Sequence, residues 1–208
     1  MPKRRVLVTG GAGRIGTMFR DSIGNEWDLV CFDRKPAAGA PGAVVADLTD
    51  LPALERAAAG CDAVVHLGAH PNPHRDYAGI IVPSNVVGTW NVLEAAARAG
   101  VRRVVFASTV QTEFGHPEDV RVSVDMPAAP RNNYAASKVF GEHLGFLYSR
   151  DRGLSVVCIR FGAVVVSMRR AEMIASGEAT QEITLTERDC CRFLRRAVEA
   201  ERVRYAVV

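Results

Sequence analysis

The chain has 208 residues, 48% of them hydrophobic and 24% charged, with a formal net charge of +3 at pH 7. That length suits one domain with a sizeable core, in the composition range of ordinary globular proteins. The small net charge gives no footprint for nucleic acid, and no apolar run approaches the roughly 20 residues that span a bilayer, so neither is expected as a partner.

After a solvated basic flank, Lys3-Arg4-Arg5, the short apolar run Val6-Leu7-Val8 reads as a buried strand. The N-terminus carries no signal-peptide pattern, and a cytoplasmic location is expected. Gly10, Gly13 and Gly16 follow at G-x-x-G-x-x-G spacing, within Gly10-Gly11-Ala12-Gly13-Arg14-Ile15-Gly16. The first glycine suits a tight turn out of the strand, the second a close approach of backbone to a pyrophosphate, and the third helix-to-sheet packing. The helix, Arg14 to Ile23, would then aim its N-terminal N–H groups at the anion. The next strand, Leu29 to Asp33, ends in a carboxylate placed to accept hydrogen bonds from ribose hydroxyls. A structural turn would need none of this context, so the stretch is read as a dinucleotide site.

Ala43 to Ala46 reads as a third strand, followed by Asp47-Leu48, with Thr49 or Asp50 capping a helix from Leu51 to Ala59. Ala63 to Leu67 is a fourth strand, followed by Gly68-Ala69 and the loop His70-Pro71-Asn72-Pro73-His74. Asn85 to Ala99 has helical periodicity and ends at Gly100; Val104 to Ser108 is a fifth strand. Ala135 to Tyr148 is a helix, Ser155 to Ile159 a sixth strand, Glu187 to Ala200 a helix and Val203 to Val208 a last strand. This alternation predicts an α/β fold, a Rossmann-like doubly wound parallel sheet with ligands at the strands' C-terminal ends. One domain over 1–208 is expected, its part from about 163 forming a small substrate cap. The five cysteines, Cys31, Cys61, Cys158, Cys190 and Cys191, lack C-x-x-C spacing and suit a reducing compartment. His70 and His74 with Asp76 make a poor chelating set with no fourth ligand, and no metal is expected.

Tyr134 and Lys138 form Y-x-x-x-K at a helix start, which puts both side chains on one face. A free tyrosine titrates near 10, and a neighbouring ammonium is expected to lower that value. Tyr134 then serves as general acid or base on a substrate oxygen, and Lys138 can also hold a nicotinamide ribose. On an arbitrary surface helix the pair would mean nothing; downstream of the glycine loop it reads as an active site.

These residues together resemble the extended short-chain dehydrogenase/reductases, also called the NAD-dependent epimerase/dehydratase family. The matching runs are Thr9 to Gly16, Asp33, Asp47-Leu48, His66 to Ala69, Asn85 to Thr89, Phe106 to Thr109 and the Tyr134/Lys138 pair. Within the family the chain is similar to uronate dehydrogenases, through Asn91 to Arg98 and Ser137 to Glu142. The resemblance implies NAD rather than NADP, although Arg34 beside Asp33 suits a 2′-phosphate. It implies adenine contacts from Asp47 and Leu48, a cofactor wall of Leu67, Gly68 and Ala69, and support of the catalytic helix and a proton path by Asn85. It implies a third catalytic hydroxyl, at Thr109 or, on the alternative alignment, Ser108. It implies a homodimer through the helices Asn85–Ala99 and Ala135–Tyr148, with Val139, Phe140, His143, Leu144 and Leu147 divided between that interface and the core.

The departures concern the substrate. Where uronate dehydrogenases have an Asn-His pair and a later serine, this chain has Val110, Gln111 and Ala163. Val164-Val165-Val166 makes that loop apolar, and Arg169 and Arg170 are either an anion site or a solvated pair. Family members continue further, so the resemblance implies a reduced cap. Substrate contacts are expected from Ala69, His70, Ser108, Val110, Gln111, Ala163 and Arg169. The resulting reading is an NAD-dependent dehydrogenase/reductase interconverting a secondary alcohol and a ketone or lactone on a small polar ring, such as a sugar, cyclitol or nucleoside. A uronate dehydrogenase and a non-catalytic dinucleotide sensor are the alternatives.

Overall fold

Alternation along the strands decides which helix covers which face of the sheet. The computed structural model describes residues 3–40, 42–165, 172, 175–176 and 183–208. Its strands are β1 (Arg5–Thr9), β2 (Asp28–Asp33), β3 (Val44–Val45), β4 (Ala63–His66), β5 (Arg103–Thr109), β6 (Ser155–Phe161), β7 (Ala163–Val164), β8 (Thr184–Leu185) and β9 (Tyr205–Val207). Seven of them form one sheet in the order β3-β2-β1-β4-β5-β6-β9, all parallel. Leu7, Phe32, Val64, Val104 and Val156 face a core shared with helices α2 (Leu51–Ala58), α3 (Gly88–Arg98) and α4 (Asn133–Arg152). Val6, Val8, Val65, Val105 and Val157 face the opposite core, closed by α1 (Arg14–Ile23) and α5 (Glu187–Glu199) through Phe19 and Leu194. The strand order reverses between β1 and β4, and ligands of such sheets bind in the crevice that opens there.

Three local features depart from the sequence reading. The helix expected from Asn85 is preceded by a π-helical stretch, Tyr77–Val87, that runs directly into α3. Pro83 inside an apolar run reads as a breaker, yet the wider turns accommodate it. α4 begins before Ala135 because the Asn132 side chain caps it, accepting from the Ala135 N–H at 2.8 Å. β7 and β8, two residues each and parallel, were too short to show a period. They pin the chain after β6 to that before α5, with Ala163 N–H donating to the Ile183 carbonyl at 2.8 Å. Much of the expected cap, including Val166, Arg169 and Arg170, lies outside the described residues.

All five cysteines are free and buried. Among the described residues no group of three His, Cys, Asp or Glu is gathered as metal ligands, and no helix is long and apolar enough to cross a membrane.

Candidate active site

The turn after β1 has the shape its glycines suggest. Gly10 sits at φ +69, and a Cβ there would lie 2.7 Å from the Gly68 nitrogen. A Cβ on Gly16 would lie 2.3 Å from the Gly10 carbonyl oxygen, so only glycine lets α1 start this close to the loop. α1 begins at Gly13 without a side-chain cap, which leaves its first N–H groups open to an anion. Beside it, a recess of about 150 Å³ is lined by Asp33, Arg34, Asp47, Leu48, Gly68 and His70, among others. The Asp33 carboxylate is fixed at its mouth, accepting from Ala12 N–H at 3.1 Å and Lys35 N–H at 3.2 Å. Arg34 is exposed, its Nε 4.0 Å from an Asp47 oxygen.

His66, fully buried at the end of β4, ties these strands together. Thr89 donates its hydroxyl proton to the Asn85 carbonyl at 2.6 Å, so its oxygen accepts from His66 Nε2 at 3.2 Å. His66 Nδ1 is then the acceptor for the Thr9 hydroxyl at 2.7 Å. Burial, with the Lys138 charge nearby, pulls the imidazole down to about 3, so the ring is neutral at ordinary pH.

The recess continues into a larger cleft of about 600 Å³. The glycine loop, including Arg14 and Ile15, with Leu67 and Ala69, forms one wall; Ser108, Thr109, Gln111, Tyr134 and Lys138 form the other. Tyr134 and Lys138 lie in the first turns of α4, with Lys138 Nζ 5.7 Å from the centre of the Tyr134 ring. The Tyr134 hydroxyl is not lowered as its neighbour's charge alone would suggest. Burial pushes it up to about 12, opposed by the Thr109 side chain. The same burial pulls Lys138 down to about 8. Spacing shows which groups are neighbours but not how dry they are, and here desolvation wins.

The two hydroxyls at the end of β5 both line the cleft but have different partners. The Thr109 side chain draws the Tyr134 hydroxyl down against that burial, and it accepts from the Gln111 N–H at 3.3 Å. Ser108 lines the cleft too, but its hydroxyl donates to the Glu142 carboxylate at 2.5 Å, which leaves it only acceptor lone pairs for a ligand. Glu142 in turn takes two bonds from the Arg160 guanidinium, at 2.9 and 2.8 Å. Arg160 also pairs with Glu113 at 2.6 Å, and all three side chains are at most 9% exposed. The sequence reading missed this cluster; Glu142 ends a matched run without an assigned partner, and neither Arg160 nor Glu113 is singled out by any spacing.

Several assigned residues stand elsewhere. Asn85 does not line the cleft: its amide donates to the His70 carbonyl and the Ser137 hydroxyl, both at 3.1 Å, and accepts from His70 N–H at 2.7 Å. Ser137 donates to the Tyr134 carbonyl at 2.6 Å, so Asn85 braces the turn that carries Tyr134, the support of the catalytic helix that the resemblance implies. His70 lines the nucleotide recess, not the Tyr134 end. Val110 and Ala163 are absent from the cleft walls, because the chain turns into a 3₁₀ helix at Val110 and Ala163 pairs with β8. Arg169 falls outside the described residues. Phe161, Gly162, Val164 and Pro71, which do line the cleft, follow from the rule that ligands meet the C-terminal ends of strands.

Comparison with known proteins agrees with this geometry. L-arabinose 1-dehydrogenase (NAD(P)(+)) of Haloferax volcanii is 34% identical over 212 residues, 94% of this chain and 83% of its own length. Uronate dehydrogenase of Pseudomonas putida is 32% identical over 180 residues, 84% of this chain and 66% of that protein. A tyrosine-to-alanine mutant of uronate dehydrogenase from Agrobacterium tumefaciens, solved in complex with NAD, matches with a TM-score of 0.86 at 29% identity, covering 99% of this chain and 76% of that one. The model of the NAD dependent epimerase/dehydratase family matches residues 6–179. With the glycine turn, the Asp33 recess and the Tyr134/Lys138 helix on one cleft, the chain belongs to the NAD-dependent epimerase/dehydratase family.

Proposed function

We propose that this chain is an NAD-dependent dehydrogenase that interconverts a secondary alcohol of a small polar ring, foremost a neutral sugar, with the corresponding ketone or lactone. The observation that carries the reading is the meeting of Tyr134, Lys138 and Thr109 at the end of the cleft that begins at the glycine loop. The residues fit a dinucleotide: a Cβ at Gly10 or Gly16 would close the turn, and the open N–H groups of α1 suit a pyrophosphate. Asp33 would hold the adenosine ribose, favouring NAD over NADP, and Asp47 and Leu48 would flank the adenine. NAD, when bound, supplies the hydride acceptor, and the protein supplies orientation and proton handling.

Tyr134 would take the proton from the substrate hydroxyl in oxidation and return it in reduction. The Thr109 side chain favours the phenolate and would meet the same substrate oxygen. Lys138 would hold the nicotinamide ribose and, when charged, also favour the phenolate. Asn85 and Ser137 keep the Tyr134 turn in place.

A uronate substrate is the second reading, favoured by the similarity to uronate dehydrogenases. Because Val110 and Ala163 do not face the cleft, their apolar side chains are no argument against a uronate. The neutral ring is favoured by one polar group of the wall that carries Thr109 and Tyr134, the uncharged amide of Gln111, where uronate dehydrogenases are expected to have the Asn-His pair. NADH formation with L-arabinose, other neutral aldoses, D-glucuronate and D-galacturonate tests the proposal. Turnover of a neutral sugar above that of the uronates supports it, and a reversed order replaces it with the uronate reading. Tight NAD binding without turnover of any ring alcohol points to a sensor.

A further inference from the structure

The orientation of one amide in the substrate wall follows from hydrogen bonds alone. Asn132 caps α4: its Oδ1 accepts from the Ala135 N–H at 2.8 Å, and a backbone N–H can only donate. The other end of the Asn132 amide, Nδ2, is therefore a donor. It meets the Gln111 side chain at 3.0 Å, so the atom it meets must be the acceptor, Gln111 Oε1. Gln111 Nε2, with two N–H donors, is then the free end, and no described residue accepts from it. Gln111 lines the cleft with Thr109 and Tyr134.

We infer that Asn132 is a positioning residue for substrate specificity: by capping α4 it fixes Gln111 as a hydrogen-bond donor, and the wall beside Tyr134 reads an acceptor oxygen of the sugar ring or its hydroxyls. This rests on the reading of the cleft as a sugar dehydrogenase site. The helix that carries Tyr134 and Lys138 and the group that selects the substrate are thus set by one asparagine. Gln111 contributes no charge, so an oxygen with lone pairs is met by a neutral donor, and a group that can only donate finds no partner.

Asn132→Asp separates this role from the cap. Aspartate caps helices as well as asparagine does, so α4 keeps its start. An ionised aspartate has no donor, so the Gln111 amide must turn its NH₂ toward residue 132 and present Oε1 to the cleft. For L-arabinose, or for D-glucuronate if that is the sugar turned over, KM should rise about tenfold with kcat within about threefold, because one neutral hydrogen bond is lost. NADH affinity and the melting temperature should hold. An unchanged KM in Asn132→Asp overturns the inference, as does a fall confined to kcat, which would mark a structural effect on Tyr134.

Side-chain amide signals of the ¹⁵N-labelled protein decide the orientation without any substrate. In the wild type the Asn132 NH₂ pair should carry the hydrogen-bonded proton and the Gln111 pair, identified by its loss in Gln111→Glu, should exchange freely with solvent. In Asn132→Asp the Gln111 pair should become the bonded one. A bonded Gln111 pair already in the wild type overturns the inference, whereas failure of every sugar to react, with the amide signals as stated, overturns only the substrate reading.

Discussion

Lys138 Nζ stands 4.9 Å from the centre of the Phe106 ring, in a buried position where desolvation alone pulls its ammonium down to about 8. Below that pH the folded protein holds a buried charge at a cost, offset in part by the aromatic face. The unfolded chain stays protonated to about 10.5, so this group adds stability as pH rises from about 8 to about 10.5. Lys138→Met should therefore stabilise the cofactor-free protein at pH 7, by on the order of 2 kcal/mol, while abolishing turnover. Its advantage in thermal melts should shrink as pH rises through that window. A destabilised Lys138→Met at pH 7 would contradict this.

His66 acts at the other end of the scale. Its folded value of about 3 lies below the ordinary 6.5, so the unfolded state binds the extra proton between those values. Stability should fall as pH drops from about 6.5 toward 3. Carboxylates such as Glu94, held low by Tyr148 and Arg98, add to the same trend. The comparison that isolates His66 is His66→Gln, whose urea midpoint should fall less steeply between pH 7 and pH 4. Parallel slopes would show that His66 does not govern the loss.

The Arg160 cluster predicts a large effect from one truncation. Arg160→Met leaves Glu113 and Glu142 buried without their cation, which should cost about 3–5 kcal/mol in chemical denaturation. Arg160→Lys, with no fork to span both carboxylates, should recover only part of that. The double change of Arg160→Met with Glu142→Gln should be milder than the sum of its parts, because one of the two orphaned carboxylates is gone and only Glu113 remains without the guanidinium.

The outer faces of α3 and α4 carry Trp90, Phe140, Phe146 and Leu147, each 39–49% exposed. Leu144 turns inward to the core instead. We expect a homodimer through this face. Sedimentation should give twice the chain mass at micromolar concentration, and Phe140→Glu should shift it to the monomer. A wild-type monomer would reject the interface.

What was legible in the sequence was what local spacing carries. The β1 turn, Asp33 at the end of β2, and Tyr134 and Lys138 on one helix face each depend on residues close along the chain. What was not legible joins distant segments. Glu113, Glu142 and Arg160 come from three elements, and Asn132 reads as an ordinary cap until Gln111 is seen beside it. Pattern alone does not separate Ser108 from Thr109, because they differ in a contact from a distant helix: the Ser108 hydroxyl donates to Glu142. The Tyr134 shift was misjudged for a related reason: pairing is visible in a spacing, but dryness is not.

The most direct test of the account is Tyr134→Phe, which removes one hydroxyl from a ring that otherwise stays packed. The measurement is steady-state NADH formation with the sugar that the wild type oxidises, alongside NADH binding. The account predicts a drop in kcat of about 10² or more, since the group that takes the substrate proton is gone, with NADH affinity nearly unchanged. Wild-type turnover in Tyr134→Phe, with the cofactor still bound, would contradict it.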